Sequence, residues 1–419
     1  MEIVADTSAT PSRPIDKEKL LKHSTVFCML PWTHLYVNPD GRSFACCYIS
    51  ESKELGNVDQ SSIVELWNSE RLREMRVAML EGRPSEHCKP CYDIERSGSS
   101  SLRKHANSTF SHHFDSVGNT NPDGSVDKIN LAYFDLRLSN VCNFKCRSCS
   151  PELSSAWAED WKALKGPSQN VGLHKLDLSQ SKILKDIEPF LESMEELYFA
   201  GGEPLLHLEH YEFLKLLIAR KKTDIKIRYS TNLSKLEFGG NKILDLWKQF
   251  KNLEICVSFD ASGSRAEYLR SGQNWEIATN NFLQVKTEVP HARLVIASTL
   301  GAYNSLHLPD FFEDWVNRDI VCVNQLYVNL LTAPSMMSLK VLPESLKQSI
   351  RIRYRRHIDK FLSPFGKDAE CPIAGFEAAL RFLEEVPNPY DWADFRNFSA
   401  KLDLIRGEKI CDIFPELGI

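Results

Sequence analysis

Three cysteines spaced C-x3-C-x2-C are the residues of this 419-residue chain whose types and spacing most clearly predict chemistry. Cys142, Cys146 and Cys149 follow residues 134–138, where apolar and polar side chains alternate as they do in a β-strand. Thiolates are strong ligands for zinc and for iron. Three of them on one loop at the end of a strand therefore predict a metal centre.

The number of thiolates in this loop is informative. Structural zinc sites and ordinary electron-transfer [4Fe-4S] clusters take four protein ligands. A cluster held by three thiolates leaves one iron open to a further ligand. The alternative is a zinc knuckle, or thiols that bind no metal.

The C-x3-C-x2-C loop resembles that of the radical S-adenosylmethionine (SAM) superfamily. The resemblance implies that Cys142, Cys146 and Cys149 are the catalytic ligands of a [4Fe-4S] cluster whose open iron chelates SAM. It also implies reductive cleavage of SAM to a 5′-deoxyadenosyl radical, which abstracts hydrogen from a substrate. The family often has an aromatic residue before the last cysteine, where this chain has Ser148.

A second group of cysteines lies near the N-terminus. Cys28 precedes and Cys46 ends two short alternating runs that flank Asn-Pro-Asp-Gly at residues 38–41, a pattern that predicts a β-hairpin. Apolar residues at helical spacing over residues 63–80 come next. A C-x2-C pair, Cys88 and Cys91, then completes a set of four candidate ligands.

This second group resembles the auxiliary-cluster module of SPASM and twitch radical SAM enzymes, placed here before the barrel. The resemblance implies a second [4Fe-4S] cluster with the ligands Cys28, Cys46, Cys88 and Cys91. The spacing from Gly41 favours Cys46 over its neighbour Cys47 as the ligand. A structural zinc ribbon is the alternative, which the spacing of four cysteines does not exclude.

Strands and helices alternate after the first cysteine loop. Strands are predicted at residues 134–138, 196–199, 225–230, 253–259, 293–298 and 325–330, and helices at 211–219, 243–250, 277–285 and 308–316. Such alternation predicts an α/β fold with a parallel sheet. The six units are similar to the partial (β/α)6 TIM-like barrel of radical SAM enzymes, whose sites lie at the C-terminal strand ends.

Motifs at those strand ends resemble the SAM-binding elements of the superfamily. The resemblance assigns the following residues to SAM: Gly201, Gly202, Glu203, Ser230, Asn232, Ser258 and Arg270. In this assignment the Gly-Gly-Glu-Pro motif meets the amino group, Ser230 and Asn232 meet the ribose, and Ser258 and Arg270 hold the carboxylate. Asp260 either orders its loop or caps the next helix.

Composition limits the classes of function. A hydrophobic content of 42% supports a full core, and a net charge of -5 with interspersed signs does not favour a nucleic-acid partner. No apolar run approaches membrane-spanning length, and no secretory signal is evident, so we expect a cytoplasmic protein without a membrane partner. The dispersed cysteines at positions 256, 322, 371 and 411 are expected to be buried thiols.

These observations predict five segments and one reaction class. The segments are a flexible N-terminal arm (1–24), a twitch-like module (25–96), a linker (97–128), the partial barrel (129–335) and a helical C-terminal extension (336–419). The predicted function is radical SAM oxidation or modification of a peptide or protein, with electrons from an external donor of the flavodoxin or ferredoxin type. Alternatives are dehydrogenation or rearrangement of a sugar, aminocyclitol or other small molecule, and a non-catalytic zinc-binding interaction protein.

Overall fold

The computed structural model describes residues 16–96, 101–166, 168, 172–176 and 183–419. The chain divides into two compact units. Unit 1 comprises residues 1–37, 42–134 and 182–194, and unit 2 comprises residues 38–41, 135–181 and 195–419. Most of the predicted arm, at residues 1–15, and the start of the predicted linker, at 97–100, lie outside the described residues.

Unit 1 contains the strands of the predicted hairpin. Its strands are β1 (His34–Val37), β2 (Arg42–Phe44) and β3 (Gly56–Asn57). β1 and β2 pair antiparallel, with Tyr36 opposite Phe44. The turn between them contains Gly41 at a φ of 80°, a conformation that favours glycine, and the Gly41 N–H donates to the Asn38 carbonyl at 2.9 Å.

Helices make up the rest of unit 1. They are Leu30–Thr33, Ile63–Trp67, Glu70–Leu80, Lys89–Arg96, Leu102–Thr109, Asp115–Gly118 and Ile183–Ile187. The apolar pattern at residues 63–80 forms two helices, and the first is capped by Ser62 and Glu65, whose side chains accept from each other's backbone N–H groups. The core between these elements is built on fully buried side chains such as Trp32, Trp67 and Met79.

The helix Leu102–Thr109 lies in the segment that the sequence predicts to be a linker. Two of its polar side chains, Arg103 and Asn107, are buried. Asn107 accepts from the Met29 N–H at 2.8 Å and donates to the Phe27 carbonyl at 3.0 Å, and Arg103 donates to that carbonyl at 2.7 Å. The helix therefore fixes the backbone on both sides of Cys28.

Unit 2 is built on a parallel sheet. The strands of unit 2 are β4 (Tyr133–Arg137), β5 (Lys145–Cys146), β6 (Glu196–Ala200), β7 (Lys226–Thr231), β8 (Glu237–Phe238), β9 (Asn241–Lys242), β10 (Leu253–Val257), β11 (Arg270–Ser271), β12 (Arg293–Leu300) and β13 (Leu326–Leu330). Within the described residues, six of them lie in the order β13-β12-β10-β7-β6-β4. The pairs from β6 to β13 are parallel. This sheet confirms the predicted α/β fold with a partial (β/α)6 barrel.

Apolar and polar side chains alternate along the barrel strands, so the two faces of the sheet differ. Leu197, Phe199, Ile227 and Tyr229 are fully buried on one face, where Phe199 stacks edge-on against Phe213 of a covering helix. The main covering helices are Leu208–Ala219, Ile243–Trp247, Gly263–Leu269, Trp275–Glu288 and Leu308–Asn317. The opposite face is polar: in register across three strands it carries Tyr198, Arg228 and Glu254.

The chain after β13 is helical, as the sequence predicts. Its main helices are Glu344–His357, Glu370–Phe382, Asp391–Arg406 and Ile410–Ile413. Cys322, Cys371 and Cys411 are exposed, so the expectation of buried thiols is wrong for these three. None of the helices in the described parts of the chain combines the length and the apolar character needed to cross a membrane.

The contacts of Asn107 generate a stability prediction. Asn107→Leu keeps the side-chain size but leaves the Met29 N–H without its acceptor and removes one donor to the Phe27 carbonyl. A buried unsatisfied group of this kind costs about 1–3 kcal/mol. We expect a lower urea midpoint and faster proteolysis of unit 1. Ser108→Ala, on the exposed side of the same helix, is the matched control and is expected to behave as wild type. Equal midpoints for the two variants would contradict this role.

Candidate functional site

The three cysteines of the C-x3-C-x2-C loop come together at the barrel. Cys146 lies in β5, which pairs antiparallel with β11 so that Cys146 is opposite Arg270. The Cys149 N–H donates to the Cys146 carbonyl at 3.0 Å, and the Phe144 N–H donates to Cys142 Sγ at 3.4 Å. Burial, together with the nearby Glu203 carboxylate and the adjacent Cys146 thiol, raises the pKa of Cys142 to about 12.

Burial and neighbouring thiols also raise the pKa of the third cysteine. Burial raises the pKa of Cys149 to about 12, with additional contributions from Cys146 and Cys142. Cys146 is buried and Cys142 and Cys149 are partly buried. Three sulfur donors that lie close enough to shift one another's pKa are a suitable ligand set for an iron-sulfur cluster. The chemistry of this donor set therefore fits a cluster with three protein ligands.

Hydrogen-bond donors from two strand ends approach the sulfurs. Asn232 Nδ2 donates to Cys142 Sγ at 3.9 Å, and Arg270 Nη1 donates to Cys146 Sγ at 3.7 Å. Hydrogen bonds to cluster sulfurs are among the factors that set reduction potential. Both donors belong to the set that the sequence assigns to SAM, and the structure places them beside the cysteines as well.

The glycine pair after β6 packs against the cysteine loop. A Cβ on Gly202 would lie 2.2 Å from the Val141 carbonyl oxygen, and Gly201 has a φ of 113°. The Gly202 N–H donates to the Ser139 carbonyl and the Glu203 N–H donates to the Val141 carbonyl, both at 2.8 Å. Glycine is needed here because the two backbones are in direct contact.

Glu203 is a buried carboxylate with three internal donors. It accepts from Thr231 Oγ1 at 2.6 Å, the Asn232 N–H at 2.7 Å and the Leu205 N–H at 3.2 Å. Burial raises its pKa to about 7, although these hydrogen bonds act in the opposite direction. Because its backbone N–H donates to the Val141 carbonyl, Glu203 lies beside the cysteine loop, where its carboxylate can accept an ammonium group.

Asp260 and Arg270 form a two-contact ion pair. Arg270 Nε lies 2.8 Å from Asp260 Oδ2, and Nη2 donates to Oδ1 at 3.0 Å. Asp260 Oδ1 also accepts from the Thr299 N–H at 2.7 Å. The following helix begins at Gly263 and its N-cap residue is Ser262, so Asp260 orders its loop and does not cap that helix. The sequence-based site omitted Asp260.

The remaining predicted SAM residues lie at neighbouring strand ends. The Ser230 hydroxyl lies 2.6 Å from that of Tyr198, on the polar face of the sheet. The Ser258 N–H donates to the Thr231 carbonyl at 2.9 Å. Ser230, Asn232 and Ser258 therefore occupy the C-terminal ends of β7 and β10, and their contact with SAM stays a prediction.

The four N-terminal cysteines are also brought together, within unit 1. Burial raises the pKa of Cys28, and Cys88 and Cys91 raise it further. Burial likewise raises the pKa of Cys46, which is also shifted by Cys47, Cys28 and Cys88. Cys47 is exposed, whereas Cys28 and Cys91 are buried. A four-thiol donor set of this kind fits a metal centre with complete protein ligation.

Arg103 adjoins this N-terminal site and was missed by the sequence-based prediction. Its guanidinium is buried and pairs with Glu95, to which Nε donates at 2.9 Å. It is close enough to lower the pKa of Cys28 and Cys88, against the larger effect of burial. The Ser- and Asn-rich sequence around Arg103 carries no apolar periodicity that could have predicted a buried helix there.

Comparison with known proteins agrees with this geometry. The family model described as "Iron-sulfur cluster-binding domain", SPASM, matches residues 28–92, and the model described as "Radical SAM superfamily" matches residues 136–297. The chain thus belongs to the radical SAM superfamily of iron-sulfur enzymes. Within that superfamily it is a SPASM-domain protein, with SAM, a [4Fe-4S] cluster and additional auxiliary iron-sulfur binding as its cofactors.

Individual relatives match over part of their length. A GTP 3',8-cyclase of Actinobacillus pleuropneumoniae serotype 3 is 30% identical over 38% of this chain and 42% of its own, and that of serotype 5b is 29% identical over 48% and 54%. The chain thus spans about half the length of these curated relatives or less. The solved structure of Streptococcus suis SuiB bound to S-adenosylmethionine is 12% identical, covers 69% of this chain and 62% of that chain, and has a TM-score of 0.35.

The Asp260–Arg270 pair generates a second prediction. Asp260→Asn leaves the largely buried Arg270 guanidinium without its anionic partner, which costs about 3–5 kcal/mol when a buried pair is broken. We expect a clearly lower urea midpoint for unit 2 in the metal-free chain. Asp245→Asn removes the partner of an exposed pair with Lys248, and we expect no measurable change. A midpoint for Asp260→Asn that equals this control would show that the pair does not stabilise the loop.

Proposed function

We propose that this protein reductively cleaves SAM on a [4Fe-4S] cluster held by Cys142, Cys146 and Cys149, and thereby oxidises or modifies a peptide or protein. When bound, the cluster and SAM supply a 5′-deoxyadenosyl radical, which removes hydrogen from the substrate. The observation that carries the proposal is the group of three neighbouring thiols, one buried and two partly buried, to which Asn232 and Arg270 donate hydrogen bonds beside the strand ends. The family of the chain supports iron over the zinc alternative.

The chain's own residues bind and orient SAM in this proposal. Glu203 accepts the amino group, because it is a buried carboxylate beside Cys142. Arg270 offers its guanidinium to the carboxylate while Asp260 fixes its orientation. Gly201 and Gly202 allow the close approach of backbones, and Ser230, Asn232 and Ser258 supply polar groups to the rest of the cofactor.

The proposed auxiliary ligands are Cys28, Cys46, Cys88 and Cys91. Four protein thiolates leave no iron open, which favours electron transfer or structural support over substrate binding. The exposure of Cys47, together with the effect of Cys28 and Cys88 on Cys46, supports Cys46 as the ligand. We place the reaction in the cytoplasm, where a flavodoxin or ferredoxin would supply the electron.

The polar face of the barrel supports a polar substrate. Arg228 lies 3.2 Å from Glu196 and 3.5 Å from Glu254, and its guanidinium lies 4.7 Å from the centre of the Tyr198 ring. The Tyr198 hydroxyl in turn contacts Ser230, one of the residues proposed to bind SAM. Ionic and hydroxyl groups thus continue from the SAM residues along this face, which suits the backbone and polar side chains of a peptide.

A small polar molecule is the second candidate substrate. The same charged face would suit a nucleotide or sugar, and curated relatives that match part of the chain are named GTP 3',8-cyclase. Both kinds of substrate share SAM cleavage as the first step, so that step does not distinguish them. Activity assays with peptide and with small-molecule candidates would separate the two substrate classes.

The first step can be tested directly. Replacement of Cys142, Cys146 and Cys149 together by Ala should abolish formation of 5′-deoxyadenosine under dithionite, measured by mass spectrometry, because the open iron is lost. Replacement of Cys88 and Cys91 by Ala should spare at least part of it. Cys322→Ala, at an exposed cysteine, is the control and should retain wild-type yield and iron content. Product formation by the triple variant, or zinc in place of iron in the wild type, would refute the proposal.

A further inference from the structure

Arg147, between the second and third cysteines of the loop, has a fully buried side chain. Its Nη2 lies 2.5 Å from both Asp403 and Glu408, which are 256 and 261 residues away along the chain. The guanidinium lies 3.6 Å from the centre of the Tyr268 ring, and Nε donates to the Tyr268 carbonyl at 3.1 Å. A buried cation is stable only with such partners, so these contacts fix where Arg147 lies.

A second arginine holds Lys145, the residue before Cys146. Arg406, at the end of the helix Asp391–Arg406, donates through Nη2 to the Lys145 carbonyl at 2.8 Å. Its Nε pairs with Asp160 at 2.8 Å, and the Lys145 side chain pairs with the other oxygen of Asp160, also at 2.8 Å. The backbone and the side chain of Lys145 are therefore both tied to Arg406, directly or through one carboxylate.

Asp403 is itself held in one position. Its Oδ2 accepts from the Ile410 N–H at 2.7 Å, and its Oδ1 accepts from the Tyr268 hydroxyl at 2.9 Å. These contacts leave the carboxylate little freedom to follow Arg147 if the loop moves. The constraint therefore runs from the C-terminal helix to the loop.

We propose that the C-terminal helix Asp391–Arg406 and Glu408 position the cysteine loop, with Asp403 as the main positioning residue acting through Arg147. The inference rests on the proposed role of Cys142, Cys146 and Cys149 as cluster ligands. Groups that orient metal ligands from behind change metal affinity by roughly 10–100-fold when they are removed. Asp403 and Glu408 touch neither the sulfurs nor, in this proposal, SAM.

The test compares three variants of the full chain, reconstituted with iron and sulfide under anaerobic conditions. Asp403→Asn removes the central carboxylate charge, and Glu408→Gln removes the partly exposed one. Glu416→Gln is the matched control, because Glu416 pairs with Arg265 at 2.6 Å elsewhere on the C-terminal segment. The readouts are the rate of iron release to a chelator and the SAM-induced change in the electron paramagnetic resonance spectrum of the reduced cluster, which reports only the cluster that binds SAM.

We expect Asp403→Asn to release iron about tenfold faster from the SAM-responsive cluster and to need a roughly tenfold higher SAM concentration for the spectral change. Glu408→Gln should change the rate of iron release and the required SAM concentration in the same direction, but by less. Glu416→Gln should match wild type in both quantities. The auxiliary cluster signal should be unchanged in all three, which shows that the chain is folded. If Asp403→Asn loads neither cluster, the comparison of Glu408→Gln with Glu416→Gln decides whether the C-terminal carboxylates position the cysteine loop.

Two negative results have different meanings. If Asp403→Asn and Glu408→Gln both match Glu416→Gln in iron release and SAM response, the positioning role is overturned and the proposed function stands. If wild type shows no SAM response, and the triple cysteine variant holds as much iron as wild type, the proposed function itself fails.

Discussion

The structure of unit 2 depends on one constraint: a buried loop with little regular secondary structure must have partners for its backbone groups, since a buried unpaired N–H or carbonyl is costly. The partners come from several distant segments. Gly202 and Glu203 donate to the loop before Cys142, the Arg147 N–H donates to the Leu269 carbonyl at 2.8 Å, and Trp157 Nε1 donates to the Cys146 carbonyl at 3.0 Å. The cysteines are held together because these separate elements meet around them.

This constraint explains features that a list of ligand contacts would leave unexplained. The Gly-Gly-Glu sequence joins the barrel to the cysteine loop through backbone hydrogen bonds, and the space at Gly202 is filled by the Val141 carbonyl. The same short motif thus braces the loop and presents Glu203 beside Cys142. Substitution of Gly202 would move the loop before it altered any contact with SAM, which is why a mutational effect there does not identify a ligand residue by itself.

The fold and the cysteine sets could be predicted from the sequence because both depend on local patterns. Alternation located the strands, as at Leu253–Val257, and the short spacings within the cysteine motifs located the thiols. Asp260, Arg103 and Asp403 could not be found in this way. They are buried polar residues whose partners are set by tertiary structure, and the contact of Asp403 with Arg147 spans 256 residues. Apolar periodicity was also weak at Leu102–Thr109, since two of the three buried residues of that helix, Arg103 and Asn107, are polar.

Both cysteine sites use the same physical solution, each within its own unit. Thiolates and the clusters they bind are anionic, and burial of an anion is costly without nearby positive charge. Arg103 lowers the pKa of Cys28 in unit 1, and Arg270 lowers that of Cys146 in unit 2, in each case against the larger effect of burial. Each guanidinium is in turn oriented by a carboxylate, Glu95 or Asp260. A carboxylate that contacts the arginine, but not the sulfur, can therefore influence a metal site indirectly. Residues that tune the metal site are thus expected around such arginines.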